Sequence, residues 1–380
     1  MTTPAAGLAL YVHVPFCRTL CGYCDFYSRV LDPAWVAPFV DAVLRELDSY
    51  AAARALRCDT IYVGGGTPTV LPAAELGRLL GGLRRVAAGG TGFEFTVEAN
   101  PATIDDEIAG VLAAAGVNRV SLGAQSFAAA ELRALDRSHR PEQVGQTVAH
   151  CRRAGIRQIS LDLIFGIPSQ TLGSWLRSLR GALLLKPDHL SCYGLTYEPG
   201  TPLGERLAAG QVQRVDEDLE ADMYEAALDL LPAAGLAHYE ISNFARPGGQ
   251  CRHNLHYWHN EPYLGLGPAA AGFIDEVRYR NVADLPAYAQ AVQQGHSAWS
   301  EQERLPPARR ARETAMLELR LAAGIDRQGF ARRFGQDPVV SFAEAIARHA
   351  ADGLLRVDAS SIRLTRAGIL LADRVSSDFV

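Results

Sequence analysis

Between Leu8 and Leu195 six short apolar runs alternate with amphipathic stretches, a rhythm that few folds can accommodate. The runs are Leu8–Val14, Thr60–Val63, Phe93–Val97, Arg119–Gly123, Gln158–Leu163 and His189–Leu195. Trp35–Leu56, Ala73–Ala88, Ile104–Ala115, Glu142–Ala154 and Leu172–Leu185 lie between them and carry apolar residues at helical spacing. Apolar strands separated by helices mark βαβ units, in which helices cover the faces of a parallel sheet. Right-handed crossovers roll such units into a curved sheet, and six fall short of the eight that close a barrel. The expected fold is α/β, an open (β/α)6 partial TIM barrel within a first unit at residues 1–235.

After Thr196 the rhythm breaks at the turn-rich Glu198-Pro-Gly-Thr-Pro202. A helix is expected over Val215–Leu231, then an aromatic, histidine-rich connecting region at 236–303. Beyond Pro306-Pro307 the pattern reads helix (Arg309–Leu321), helix (Arg327–Phe334), helix (Val339–Asp352), hairpin (Leu355–Leu364) and final helix. It predicts a C-terminal, mostly helical, winged-helix-like domain at 304–380. Winged helices suggest DNA, but the charges there are mixed, the basic residues form no sustained run, and the whole chain carries a formal −5. No nucleic-acid partner is expected. With 48% hydrophobic residues the chain can bury a large core, yet no stretch approaches the ~20 apolar residues of a membrane span. Residues 1–6 lack the basic start of a secretory leader. Three of the seven cysteines crowd together, unlike a secreted disulfide scaffold, so a reducing cytoplasm is the expected compartment.

Those three cysteines lie behind the first run, in Tyr11-Val-His-Val-Pro-Phe-Cys17-Arg-Thr-Leu-Cys21-Gly-Tyr-Cys24-Asp-Phe26. In parallel α/β folds functional residues gather at the carboxyl ends of strands. Thiolates are the natural ligands of iron–sulfur clusters, and three of them leave one iron of a [4Fe–4S] cubane open to a small molecule. Zinc would ask for a fourth ligand and a second paired knuckle, which the sequence lacks. Cys58, Cys151, Cys192 and Cys251 are singletons and read as small buried residues. Polar signals also follow other strands, at Gly64-Gly-Gly66-Thr67-Pro68, Glu98 and Gln125, while Arg137 ends the next helical segment and Asp162 lies within the fifth strand. Glycines let a backbone approach a ligand, and an acid at a strand end can accept from ribose hydroxyls or an amine.

CxxxCxxC behind a first strand resembles the radical S-adenosylmethionine (SAM) superfamily. Tyr11-Val-His-Val-Pro-Phe is similar to its branch containing oxygen-independent coproporphyrinogen III oxidase, and the likeness runs over nearly the whole chain. The resemblance implies that Cys17, Cys21 and Cys24 hold a [4Fe–4S] cluster whose open iron is chelated by SAM. It implies that the Gly64–Pro68 element grips the methionyl ammonium through backbone carbonyls. It places Tyr11, Tyr23, Gly65, Gly66, Thr67, Glu98, Gln125, Arg137 and Asp162 in the SAM pocket. In the oxidase, residues like Gln125, Arg137 and Asp162 serve a second SAM, and one or two are open here.

Two departures separate the chain from the oxidase. The oxidase motif continues to a fourth cysteine where Phe26 stands here, and the oxidase carries an N-terminal extension whereas the first strand here starts near Leu8. In addition, Cys251-Arg-His253-Asn254-Leu-His-Tyr257-Trp258 matches the HNxxYW motif of the radical SAM haem chaperones (HemW). This resemblance implies haem bound near His253, Asn254, Tyr257 and Trp258, and its delivery to apo-haemoproteins such as respiratory enzymes, with a homodimer left open. His253 is the expected contact, in a loop-like stretch after Pro247-Gly-Gly. Coproporphyrinogen turnover is not expected, and no residue is assigned as catalytic. The alternatives are a true coproporphyrinogen oxidase and, for the motif, a core histidine with Tyr257 and Trp258 packed in the barrel.

Overall fold

The computed structural model describes residues 7–90 and 92–380. The reading of residues 1–6 lies outside the described residues. Six parallel strands stand side by side in chain order: β1 (Leu8–Val14), β2 (Cys58–Gly65), β3 (Glu94–Ala99), β4 (Arg119–Gln125), β5 (Gln158–Phe165) and β6 (His189–Gly194). Each coincides with an expected apolar run to within a few residues. The helices between them are α1 (Val36–Ala53), α2 (Ala73–Arg84), α3 (Asp106–Ala114), α4 (Pro141–Arg153) and α5 (Leu172–Leu184), and α6 (Glu217–Ala233) follows β6. Because side chains alternate along a strand, one set faces the helices and the other faces the barrel interior. The outer set (Leu10, Val12, Ile61, Val63, Val97, Val120, Leu161 and Leu190) is fully buried against the helical layer. The inner set is polar, and the chemistry lies there.

The barrel sheet is larger than six strands. On the β6 edge, β7 (Ala237–Glu240) and β8 (Asn243–Ala245) add an antiparallel hairpin, β8 pairing with β6. On the other edge β9 (Tyr263–Leu266) runs parallel to β1, with Tyr11 opposite Gly265. An antiparallel meander of β10 (Ala271–Ile274), β11 (Val277–Asn281) and β12 (Trp299–Arg304) completes a 12-stranded sheet. Gly265 is where strands crowd most: a Cβ there would meet the Ala271 carbonyl at 1.9 Å.

Between β8 and β9 the chain forms helix α7 (Arg252–Trp258), which corrects the expected loop around His253. Glu94, at the start of β3, accepts from the backbone N–H groups of Arg252 and His253, both at 3.0 Å. A carboxylate on these free donors stabilises a helix start, and it comes from a distant strand, so no local signal announced it. The helix lies across the amino-terminal end of the barrel and forms its floor.

The C-terminal region has its own small core around Leu319, Phe330, Ile346, Ile362 and Phe379. Helices Pro307–Glu318 and Arg327–Phe334 are followed by two more, Pro338–Ser341 and Ala343–Ala351, where a single helix was expected. The break falls at Phe342, whose φ of −123° and ψ of 30° leave the helical range. A three-stranded sheet, whose first strand Ile325–Asp326 lies between the first two of these helices, and two short closing helices complete a winged-helix-like unit. Arg333 ties it to the barrel, donating to the carbonyls of His259 at 2.6 Å and Asn260 at 2.5 Å. Among the described residues no helix is long and apolar enough to cross a membrane.

Candidate functional site

The cysteine loop is cinched at its base. Phe16–Cys17 pairs in parallel with Arg29–Val30, and the N–H groups of Arg29 and Leu31 donate to the carbonyls of Pro15 (2.7 Å) and Cys17 (2.9 Å). Within it, the Cys24 N–H reaches the Cys21 carbonyl at 3.3 Å. The three thiols are free and half-buried, and they line a small cavity of about 60 Å³ together with Thr67 and Arg137. Thr67 Oγ1 lies 3.8 Å from Cys17 Sγ, and Arg137 Nη1 donates to Cys21 Sγ at 3.4 Å while its Nη2 donates to the Gly123 carbonyl at 2.7 Å.

Among the described residues no three His, Cys, Asp or Glu side chains converge on a single-ion position. Three thiols spaced around a cavity instead suit a cubane, in which each would bind a different iron. Burial pushes the Cys24 thiol up to about 11 and the Cys17 thiol also upward. Iron would draw their protons off, as metal ions do with coordinated thiols. The donor set therefore fits a [4Fe–4S] cluster.

The glycine-rich turn is stitched to this loop. Gly66 N–H donates to Val14 O at 2.8 Å and Thr67 N–H to Phe16 O at 2.7 Å. A Cβ on Gly66 would lie 2.6 Å from Phe16 O, so only glycine fits so close to the loop. Gly65 has φ of +103°, and its N–H donates to Glu98 at 3.1 Å. Glu98 also accepts from the Tyr62 hydroxyl at 2.7 Å, yet burial holds its carboxyl up to about 7.

A cavity of about 380 Å³ runs from this mouth into the barrel. Of the sequence-predicted residues, Tyr23, Gly65, Gly66 and Thr67 line its rim, and Glu98, Gln125, Arg137 and Asp162 its wall. Gln125 takes a positive φ of 59° beside a register shift in β4, a conformation uncommon outside glycine that re-aims the strand end. Burial raises the Asp162 carboxyl, and the Ser191 (2.7 Å) and Ser121 (2.9 Å) hydroxyls that donate to it pull the other way. The serines, with Arg119 and His189, were missed in the sequence. Their one signal was strand alternation: Arg119 and Ser121, Ser160 and Asp162, and His189 and Ser191 are each two residues apart.

Other predicted residues lie elsewhere. Tyr11 is bonded to His13 Nδ1 at 3.0 Å and stands beside Tyr62, away from the cavity lining. His253 is wholly buried in the floor: Nδ1 lies 2.8 Å from Thr60 Oγ1, Nε2 lies 2.8 Å from the Tyr257 hydroxyl, and the ring stacks on Tyr62. Burial lowers its pKa to about 3, so it is neutral. Tyr257 packs edge-on against Tyr263, and Trp258 lies under the Arg320 guanidinium, which belongs to the C-terminal region. Of the HNxxYW residues, Asn254 alone lines the cavity.

A six-stranded parallel barrel with a three-thiol loop at the mouth and an acid-lined cavity beneath it defines a radical SAM protein. The model for the radical SAM superfamily matches residues 11–180, and that for the HemN C-terminal domain matches 305–371. Coproporphyrinogen III oxidase (HemN) from Escherichia coli superposes with a TM-score of 0.84 at 26% identity, over 99% of this chain and 91% of that one. Heme chaperone HemW of Lactococcus lactis is 35% identical over 97% of this chain and 96% of its own length. HemW of Mycobacterium tuberculosis is 38% identical over 98% and 94%. The chain belongs to the HemW heme chaperone family.

Proposed function

We propose that this protein binds haem and delivers it to apo-haemoproteins such as respiratory enzymes, with a SAM-coordinated [4Fe–4S] cluster alongside. The observation that carries the reading is near end-to-end similarity to proteins named heme chaperone HemW. Cys17, Cys21 and Cys24 would hold the cluster, which when bound supplies a transferable electron and an open iron position. Arg137 spans the cluster loop and β4, so it positions Cys21 relative to the cavity. Glu98 and Asp162 would accept from SAM hydroxyl or amine groups, and the backbone at Gly65–Thr67 would approach it closely. The cytoplasm suits seven free thiols. A homodimer is compatible with this reading.

For haem, His253, Asn254, Tyr257 and Trp258 are the proposed contact region. His253 would ligate iron only by giving up one of its two hydrogen bonds. Haem titration of anaerobically reconstituted protein tests the function. A saturable Soret band supports it, and absence of haem binding at micromolar protein overturns it.

A second reading, hydrogen abstraction and decarboxylation of coproporphyrinogen propionates, has the fold likeness to HemN in its favour. Phe26 occupies the place of that motif's fourth cysteine and is exposed at the cavity mouth, which weighs against it.

A further inference from the structure

The cavity does not end at Asp162. It continues to the barrel floor, where Arg119, His189, Cys251 and Asn254 line it. Arg119 opens β4 and Gln125 closes it; with the register shift before Gln125 the span matches five steps on β5, which at about 3.3 Å each sets the two levels roughly 16 Å apart. The lower chamber therefore lies well beneath the thiol loop.

Arg119 is 2% exposed. Its Nη1 donates to Gly249 O at 2.8 Å and to Gln158 Oε1 at 3.2 Å. Its remaining N–H groups have no acceptor among the described residues, and no carboxylate among them forms an ion pair with it. The two acids nearby are engaged otherwise: Glu94 caps α7, and Asp162 accepts from Ser121, Ser160 and Ser191. His189 offers no second cation, since Ser160 and Tyr239 occupy its ring nitrogens at 2.8 Å each and burial holds it neutral. The open donors face the cavity, where water can meet them but only an acceptor of opposite charge also offsets the guanidinium's charge in so buried a setting. Its planar fork matches a carboxylate in two parallel hydrogen bonds.

We propose that the lower chamber is a binding site for a small carboxylate, gripped by Arg119 and bordered by the Asn254 amide. The ligand is separate from SAM, whose own carboxylate is expected at the opposite end, by the cluster. The proposed haem contact region borders the same floor and shares Asn254 with it, so the proposed ligand is a free small carboxylate, tested without haem. The inference does not depend on the chaperone reading.

The test uses the full chain with its cluster reconstituted, titrated by calorimetry and by saturation-transfer NMR. The probes are sodium propionate and sodium succinate, with propionamide as the uncharged match. At least one carboxylate should bind saturably and at least tenfold more tightly than propionamide, and Arg119→Gln should lose at least tenfold of that affinity while cluster iron and SAM affinity stay within twofold. If propionamide binds as well as both carboxylates, or Arg119→Gln binds them like the parent, the site is not an Arg119 carboxylate site. The comparison of acid with amide is made on the parent protein, so it stands even if Arg119→Gln does not fold. In that case Arg119→Lys, which keeps the charge, should still prefer the acid over the amide, and equal binding of the two would overturn the proposal. Failure to bind haem in the same samples would sink the chaperone reading alone.

Discussion

The Nε2 of His253 lies 2.8 Å from the Tyr257 hydroxyl one helical turn further on, and its Nδ1 lies the same distance from Thr60. The first residue of HNxxYW thus ties helix α7 to β2 inside the barrel floor. His253→Ala leaves Thr60 and Tyr257 without this partner and opens a void under Tyr62. It should destabilise the protein by about 2–4 kcal/mol in urea unfolding. With both ring nitrogens engaged, His253 shapes the proposed haem contact region without ligating iron, so the Soret band of haem-loaded protein is expected to stay in place. A parent-like unfolding midpoint with a shifted band would instead make His253 an iron ligand.

Replacing Cys17, Cys21 and Cys24 together with Ala should abolish iron binding while the fold persists. The loop stands at the barrel mouth, and its closing bonds are backbone ones from Arg29 and Leu31 that alanine retains. Iron analysis after anaerobic reconstitution, with circular dichroism as the fold control, decides it. Near four irons per chain in the triple variant would remove these residues as the ligands.

Glu98, held up to about 7, passes from mostly protonated to mostly ionised between pH 6 and 8. The ionised form is the better acceptor for SAM hydroxyl or amine groups. SAM affinity should therefore rise with pH across that interval, by up to about tenfold per pH unit below the pKa. Glu98→Gln should abolish the slope. At pH 8 it should weaken binding about ten- to a hundredfold, the equivalent of about 1.5–3 kcal/mol. Asp162→Asn should weaken SAM binding similarly without loss of iron. Calorimetry at three pH values suffices, and a flat parent profile would separate Glu98 from SAM.

Gly66→Ala should lower both cluster occupancy and SAM affinity, because its Cβ would strike Phe16 O at 2.6 Å and Val14 O at 2.9 Å, both backbone atoms. Gly81→Ala is the control: its Cβ meets nothing within 4 Å on helix α2, so a modest gain in stability of about 0.5–1 kcal/mol is expected. Equal iron content in the two variants would show that the turn does not shape the loop.

Residues with a local signature were legible before the structure. The outward-facing Val63, Val97, Val120 and Leu161 wrote the strands into the sequence, and Cys17–Cys24 wrote the cluster loop. Features made by distant partners were not. Strand β9 is four residues long and finds its partner in β1, from the opposite end of the barrel region. Helix α7 begins after Pro247-Gly-Gly, which reads as a loop, and receives its cap from Glu94 on β3. Arg119 hid as an isolated charge at the start of an apolar run, and its setting emerged only when β4, β5, β6 and α7 came together around it.

Transfer of haem tests the central claim most directly. Haem-loaded, cluster-reconstituted protein is mixed with an apo-haemoprotein, such as an apocytochrome of a respiratory enzyme, and the two are separated and scanned. Haem should pass to the acceptor, restoring its spectrum, faster than from the same concentration of haem held by albumin. The same preparation given SAM, a reductant and coproporphyrinogen III under strict anaerobiosis should yield no protoporphyrinogen IX. No transfer to the acceptor, together with robust formation of protoporphyrinogen IX, would contradict the chaperone account and establish the oxidase in its place.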